Sequence, residues 1–312
     1  VCCCVDVGQE SELEGLDERA KYSGAEKLYI EDVVDDLCEN YIMPCVQAGA
    51  VYEHKYLMGT AMARPTIAAK LVEIARKENA VAICHGATGK GNDQIRFELG
   101  IKALAPDLRI IAAWRDPKWT MNSREEEIEY CKAHGIDLPF STDSSYSRDR
   151  NLWHISHEGL ELENPDPANM PNYDHLLVLG TTPEKAPDEG EYVTMTFEKG
   201  VPTSVNGKKM KVSDIIRTLN KIGGKHGIGI VDIVENLVGA EHVRAELRHI
   251  HFAELVELAF VRRCINGFKR IVTESNYDSV SRRRLVIELL QLGRIDKRPC
   301  LHLCGHAHIA LL

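Results

Sequence analysis

Between Cys84 and Phe97 the chain reads His85-Gly-Ala-Thr-Gly-Lys-Gly-Asn-Asp-Gln-Ile-Arg96. A strand that ends in glycines and opens into a helix offers bare backbone N–H groups and a positive dipole end to an anion. Thr88, Asn92, Asp93 and Arg96 add a hydroxyl, an amide, a carboxylate and a guanidinium within nine residues. Asp93 and Arg96 are three apart, so on a helix they lie on adjacent ridges and can grip one zwitterion. The set suits an amino acid beside a phosphate better than a dinucleotide. A Walker A loop needs four residues between its first glycine and Gly-Lys, then Ser or Thr. Gly86-Ala-Thr-Gly89-Lys90-Gly91 has two, and a glycine follows the lysine. The dinucleotide fingerprint fails on glycine spacing. A plain helix cap remains the bland alternative, but a cap rarely needs four different polar side chains.

Elements must hold these residues. Ala80–Cys84 is a short apolar run that reads as a buried parallel strand. The helix after the loop places Ile95, Leu99 and Ala103 on one face. Upstream, Cys2–Val7 reads as a strand, Ser11–Ser23 as an acidic helix closed by Gly24, and Lys27–Glu31 as a second strand. Asp32–Met43 reads as a helix ending before Pro44. Pro65 is expected at the first turn of a third helix, where its missing N–H costs nothing. Ile67, Leu71, Ile74 and Ala75 are that helix's expected buried stripe. A further strand covers 108–113. Strands alternating with helices predict an α/β fold, a parallel sheet covered on both faces.

Ser123-Arg-Glu-Glu126 is a capping box, and Gly135 closes its helix. Phe140–Asn172, rich in Ser, Asp, Asn and Pro, reads as loops. Glu191–Phe197 alternates with Val193, Met195 and Phe197 on one face. Val201–Val205 and the Asn206-Gly207 turn follow. Ser213 is expected to cap a helix stopped by Gly223-Gly224. This half reads as a separate α+β domain. In the tail, Cys300, His302, Cys304, His306 and His308 fall on even positions, which a strand would place on one face. No second ligand pair accompanies them, so no metal site is assigned. Arg282-Arg283-Arg284 reads as a solvated helix start.

The segment Tyr56-Leu-Met-Gly59-Thr60-Ala61-Met-Ala-Arg64-Pro65, followed by the loop motif through Arg96, closely resembles argininosuccinate synthase. The resemblance continues through Asp6-Val-Gly-Gln9, Leu108–Arg115, Asn151–Ser156, Glu163-Asn-Pro165 and Gly224–Asn236, about three quarters of the chain. It implies a Rossmann-like nucleotide-binding domain of the adenine nucleotide alpha hydrolase type over residues 1–134. It further implies an α+β synthetase domain over 135–265, before a divergent tail over 266–312. The implied reaction is the ATP-dependent ligation of citrulline and aspartate to argininosuccinate, with AMP and pyrophosphate released and Mg²⁺ on the pyrophosphate.

Carried over residue by residue, the resemblance places Tyr56, Asn92, Arg96, Ser147, Ser156 and Glu235 at citrulline. Thr88, Asn92 and Asp93 would hold aspartate, and the backbone of Val5 and Gly86 would meet ATP. Ala61 stands where the family has a serine, which removes one hydroxyl donor worth about 0.5–1.5 kcal/mol. The family's opening strand, its Ser-Gly-Gly-Leu-Asp-Thr-Ser phosphate loop and the helix after it are not found in these residues. After Glu235, Leu237-Val-Gly-Ala-Glu-His departs from the family's pattern. Two readings follow: the ligase itself, or a fragment or non-catalytic subunit that keeps the amino-acid pocket. The family is homotetrameric, so a homo-oligomer is expected, in the cytoplasm or a plastid.

Composition sets the frame. The 312 residues carry a net charge of −9 with 44% hydrophobic content, ordinary for a globular chain. Residues 261–298 hold ten Lys/Arg against four Asp/Glu, so that piece is +6 and the remainder −15. An acidic body disfavours nucleic acid as a partner. No run approaches the roughly 18 apolar residues of a membrane span, and the first residues lack the pattern of a signal peptide. Ten irregularly spaced cysteines are expected to be reduced thiols.

Overall fold

The computed structural model describes residues 1–52, 56–87, 92–121, 124–136, 146–158, 162, 172–234, 246–251 and 305–311. The strands are β1 (Cys2–Asp6), β2 (Leu28–Asp32), β3 (Ala82–His85), β4 (Arg109–Ala112), β5 (Ser147–Arg150) and β6 (His154–Glu158). They continue with β7 (Glu191–Glu198), β8 (Val201–Val205), β9 (Lys208–Lys209), β10 (Ile230–Val234), β11 (Glu246–His251) and β12 (Gly305–Leu311). The helices are α1 (Leu16–Tyr22), α2 (Val34–Asp36), α3 (Met43–Ala48), α4 (Gly59–Lys77), α5 (Asp93–Leu104), α6 (Arg124–Ala133), α7 (Tyr173–Leu176) and α8 (Val212–Lys225). The chain divides into two compact units, one of residues 1–33 and 60–148, the other of 34–59 and 149–312.

In the first unit β1 pairs in parallel with β2, and β3 with β4, as two separate ladders. The parallel βα pattern expected from the sequence is therefore present. Its core forms where α4 and α5 pack on β3 and β4: Ala68, Val72, Ala75, Ile83, Ile101, Ala105 and Leu108. Gly100 lets the two helices close, since a Cβ there would sit 3.0 Å from that of Ala68. The buried stripe of α4 differs from the one expected. On α4, Ile74 and Ala75 are buried, but Ile67 and Leu71 are only half-buried beside Ala68 and Val72. On α5, Ile95 and Leu99 are exposed, and Ile101 faces the core with Phe97 packed against it. Apolar residues occur on both faces of α5, so periodicity could not tell which face meets α4.

Two prolines were also misplaced. Pro65 lies inside α4 rather than at its start, because the helix already begins at Gly59. Pro44 does not end its helix either. Leu37–Ile42 is a π-helical segment that hands over to α3, whose first turn contains Pro44. The π segment shifts the hydrogen-bond register, and it lies where a proline withholds an N–H from the preceding turn. The acidic stretch 11–23 is broken at Gly15, which takes a left-handed φ of +71° between a 3-10 turn and α1.

In the second unit β10, β11, β6 and β5 form one sheet, and β12, β7, β8 and β9 another. Val193, Met195 and Phe197 of β7 are buried as their alternation required. Asn206 and Gly207 both have positive φ, the two-residue turn that joins β8 to β9. Contrary to the loop reading of 140–172, residues 147–150 and 154–158 are strands. Their His, Ser, Arg and Asp content hid them, because neighbouring strands rather than intrinsic propensity hold them. Gly223 and Gly224 lie inside α8, buried, instead of stopping it. The helix closes one turn later in a Schellman motif, with Ile228 N–H on Gly223 O (2.9 Å) and Gly227 N–H on Gly224 O (3.2 Å). Ser213 lies within the first turn and donates to Asp35 instead of capping.

Gly135 has the expected positive φ after α6, whereas Ser123 lies outside the described residues. The seven cysteines among the described residues are free thiols. His306 and His308 fall on β12; Cys300, His302, Cys304 and the Arg282–Arg284 run lie outside the described residues.

Candidate functional site

The first unit carries the residues that flank the glycine-rich motif. β3 ends at His85, and α5 begins at Asp93 with Asn92 as its N-cap. Asn92 makes no capping bond with its side chain and is exposed, although Asn is among the best capping residues. Its amide therefore stands at the helix N-terminus with its donors and acceptor uncommitted to the helix. Gly86 is exposed, and a Cβ added there would meet nothing within 4 Å. No packing among the described residues demands a glycine at that position. Close approach of a ligand to the backbone would.

Asp93 is the hinge of the charge arrangement. Arg64, on α4, donates from Nε (2.9 Å) and Nη2 (2.7 Å) to Oδ2, and Arg96 donates from Nη1 to Oδ1 at 2.9 Å. All three side chains are partly buried, so these charge-assisted bonds are less screened than surface pairs. One carboxylate between two guanidiniums leaves the cluster with a net positive charge at a helix N-terminus. A carboxylate offers about four acceptor positions and a guanidinium five donors. Asp93 thus retains capacity for an ammonium group, and Arg96 for a carboxylate. Arg64, whose guanidinium lies 5.6 Å from the Phe97 ring centroid, joins this cluster although the sequence reading quoted it without a role. Its spacing of 29 residues from Asp93 hid the contact.

Val5 is buried in β1, and its carbonyl accepts the Gln9 amide at 2.9 Å while Gln9 Oε1 accepts from Val7 N–H at 2.7 Å. Gln9, also unassigned from sequence, thereby fixes the C-terminal end of β1. Ser147 is exposed at the start of β5. Thr88 lies outside the described residues.

The second unit brings Tyr56 and Ser156 toward one place. The Tyr56 and His154 rings lie 6.2 Å apart, and Ser156 follows His154 by two residues on β6, hence on the same face. Gly59 is pressed against His154: an added Cβ would run into the imidazole, which is itself buried. Asn151 anchors the corner. Its Oδ1 accepts from Trp153 N–H (2.8 Å) and its Nδ2 donates to Gly59 O (3.2 Å), while Trp153 Nε1 donates to Leu57 O (3.2 Å). Glu235 lies outside the described residues. Among the described residues no group of three His, Cys, Asp or Glu could hold a metal ion, and no helix is long and apolar enough to cross a membrane.

A parallel strand leading through a glycine-rich sequence to a helix N-terminus backed by cations is the arrangement of nucleotide-binding α/β domains. Residues 1–137 match the family model described as Arginosuccinate synthase N-terminal HUP domain, and residues 146–259 the Arginosuccinate synthase C-terminal domain. The chain belongs to the argininosuccinate synthase family. It is 81% identical over 238 residues to an argininosuccinate synthase of Agathobacter rectalis and 77% identical over 238 residues to that of Lachnospira eligens, covering 76% of this chain in each case. It spans 58% of the length of those two relatives. The Caldicellulosiruptor saccharolyticus argininosuccinate synthase is 50% identical over 289 residues, 86% of this chain and 70% of the relative.

Proposed function

We propose that this chain carries out, in the cytoplasm, the ATP-dependent ligation of citrulline and aspartate to argininosuccinate. The observation that carries the reading is the cluster at the start of α5. There a free N-cap amide, a doubly clamped carboxylate and a guanidinium stand beside a glycine loop. The ureido oxygen of citrulline attacks the α-phosphorus of ATP, pyrophosphate leaves, and a citrullyl-adenylate forms. The aspartate amine then displaces AMP and loses a proton to give argininosuccinate. Such steps depend on positioning and charge stabilisation more than on a single base.

In this proposal Tyr56, Asn92, Arg96, Ser147, Ser156 and Glu235 bind citrulline. Thr88, Asn92 and Asp93 bind aspartate, and the backbone at Val5 and Gly86 meets ATP. Mg²⁺ rides on the nucleotide phosphates, since it commonly keeps its waters and takes few protein ligands there. The working division is a nucleotide-binding part over 1–134, a synthetase part over 135–265 and a tail over 266–312, in a homotetramer. The test is incubation of the full chain with labelled aspartate, citrulline and Mg-ATP. Labelled argininosuccinate with equimolar AMP and pyrophosphate is expected. Failure to form it, together with failure to bind citrulline or aspartate in calorimetry, overturns the reading.

A further inference from the structure

The backbone that leads into α4 is gripped on both sides of Met58. Trp153 donates its indole N–H to the carbonyl of Leu57 at 3.2 Å, and Asn151 donates its side-chain amide to the carbonyl of Gly59 at 3.2 Å. The His154 ring closes on the Cα of Gly59, where an added Cβ would run into it. Asn151 also holds the gripping residues themselves. Its Oδ1 accepts from the N–H of Trp153 (2.8 Å) and of His154 (3.2 Å), and its own N–H donates to His154 O at 2.9 Å. Asn151, Trp153 and His154 are buried, so these bonds are shielded from water. Met58, between the two held carbonyls, has a left-handed φ of +57°. A long side chain rarely takes that conformation, and it persists only where the surroundings over-determine it.

We propose that Trp153 and Asn151 are positioning residues for Tyr56, acting by clamping the Leu57 and Gly59 carbonyls so that Met58 stays in its left-handed turn. Tyr56 lies two residues earlier, bonded in both directions to Tyr52 (2.8 and 2.9 Å). When either clamp bond is lost, Met58 relaxes toward negative φ, and the peptide planes on both sides of it rotate. The chain that carries Tyr56 then turns relative to β6, and the ring leaves its place 6.2 Å from His154. A glycine at position 58 takes positive φ without steric cost, so it makes the clamp dispensable. This inference deepens the function proposed above, in which Tyr56 and Ser156 bind citrulline.

The test compares the full chain with Trp153→Phe, Met58→Gly and the double variant. Trp153→Phe keeps a buried aromatic ring and removes the N–H donor. In calorimetry its citrulline affinity is expected to be about threefold to tenfold weaker, the scale of one hydrogen bond. Met58→Gly and the double variant are expected to lie within about twofold of the parent. Aspartate affinity is expected to hold in all four proteins, since the residues proposed for aspartate belong to the first unit. A cavity left by the smaller ring would weaken binding with no rescue from position 58. Loss without rescue therefore overturns the proposal, as does no loss, or an equal loss for both ligands. Asn151→Ser, with and without Met58→Gly, repeats the comparison at the Gly59 carbonyl if the Trp153→Phe chain does not fold. Amide exchange at Tyr52 and Tyr56 reads the clamp without any ligand. Faster exchange in Trp153→Phe that Met58→Gly restores supports it, and unchanged or unrestored exchange overturns it. If the parent binds no citrulline, the functional reading falls while the exchange result still decides the clamp.

Discussion

Arg64 shows how little of a charged site depends on any one residue's own segment. Its two bonds to Asp93 come from a rigid fork that an ammonium cannot reproduce. Arg64→Lys is expected to leave the fold intact and to lose about 1.5–3 kcal/mol of the clamp on Asp93. The resulting rise in the aspartate KM, at least about tenfold, is read by steady-state kinetics; an unchanged KM would remove Arg64 from the site. Gly59 makes the opposite kind of demand. Its lack of a side chain is what lets the backbone meet the buried His154 ring. Gly59→Ala is expected to destabilise by about 1–3 kcal/mol through overpacking, seen as a lower urea midpoint.

At the scale of elements, Pro65 sits inside α4 and deprives the Ala61 carbonyl of its usual donor. Pro65→Ala is expected to raise thermal stability, by up to about 3 kcal/mol, unless α4 needs that break to aim Arg64. A stabilised variant with weakened aspartate binding would show that it does. The sequence made the parallel βα units legible because continuous apolar runs and glycine stops are local signals. Asn92, Asp93 and Arg96 were legible for the same reason: they share one helical turn. Arg64, Gln9 and Trp153 were not, since each acts through a partner brought near only by folding. The strands at 147–150 and 154–158 escaped notice because pairing with neighbouring strands holds their polar residues, and buries those of 154–157, a context that no window of sequence contains. Conversely, α8 ran past its two glycines because both are buried, where the absence of a side chain is an advantage.

Among the described residues a set of carboxyls is held low by cationic partners. Hydrogen bonds from Arg76 bring Asp107 to about 2, and those from Lys27 and Tyr29 lower Glu78. Arg115 lowers Glu98, Lys225 and His226 lower Glu191, and Lys211 with Ser213 lowers Asp35. In each case the folded value lies below the unfolded one. The stabilisation is therefore complete above the unfolded carboxyl range, about pH 4–4.5, and is lost as pH falls through the folded values. A urea midpoint level from about pH 7 to 5 and falling steadily from about pH 4.5 to 2 is expected. A midpoint that rose with acidification would contradict these assignments. Arg76→Gln should flatten the lowest part of that fall.

The interleaving of the two units bears on how the molecule is made. Residues 34–48 bury Leu37, Cys38, Ile42 and Met43, and Asp35 bonds to Lys211 across 176 residues of chain. A ribosome adding roughly 5–20 residues per second leaves that early segment waiting about 10–35 s for its partner to emerge. Throughout that interval its oily side is on offer to whatever else is nearby, including other nascent copies. Depleting chaperones during synthesis is therefore expected to lower the yield of folded chain, read by pulse labelling.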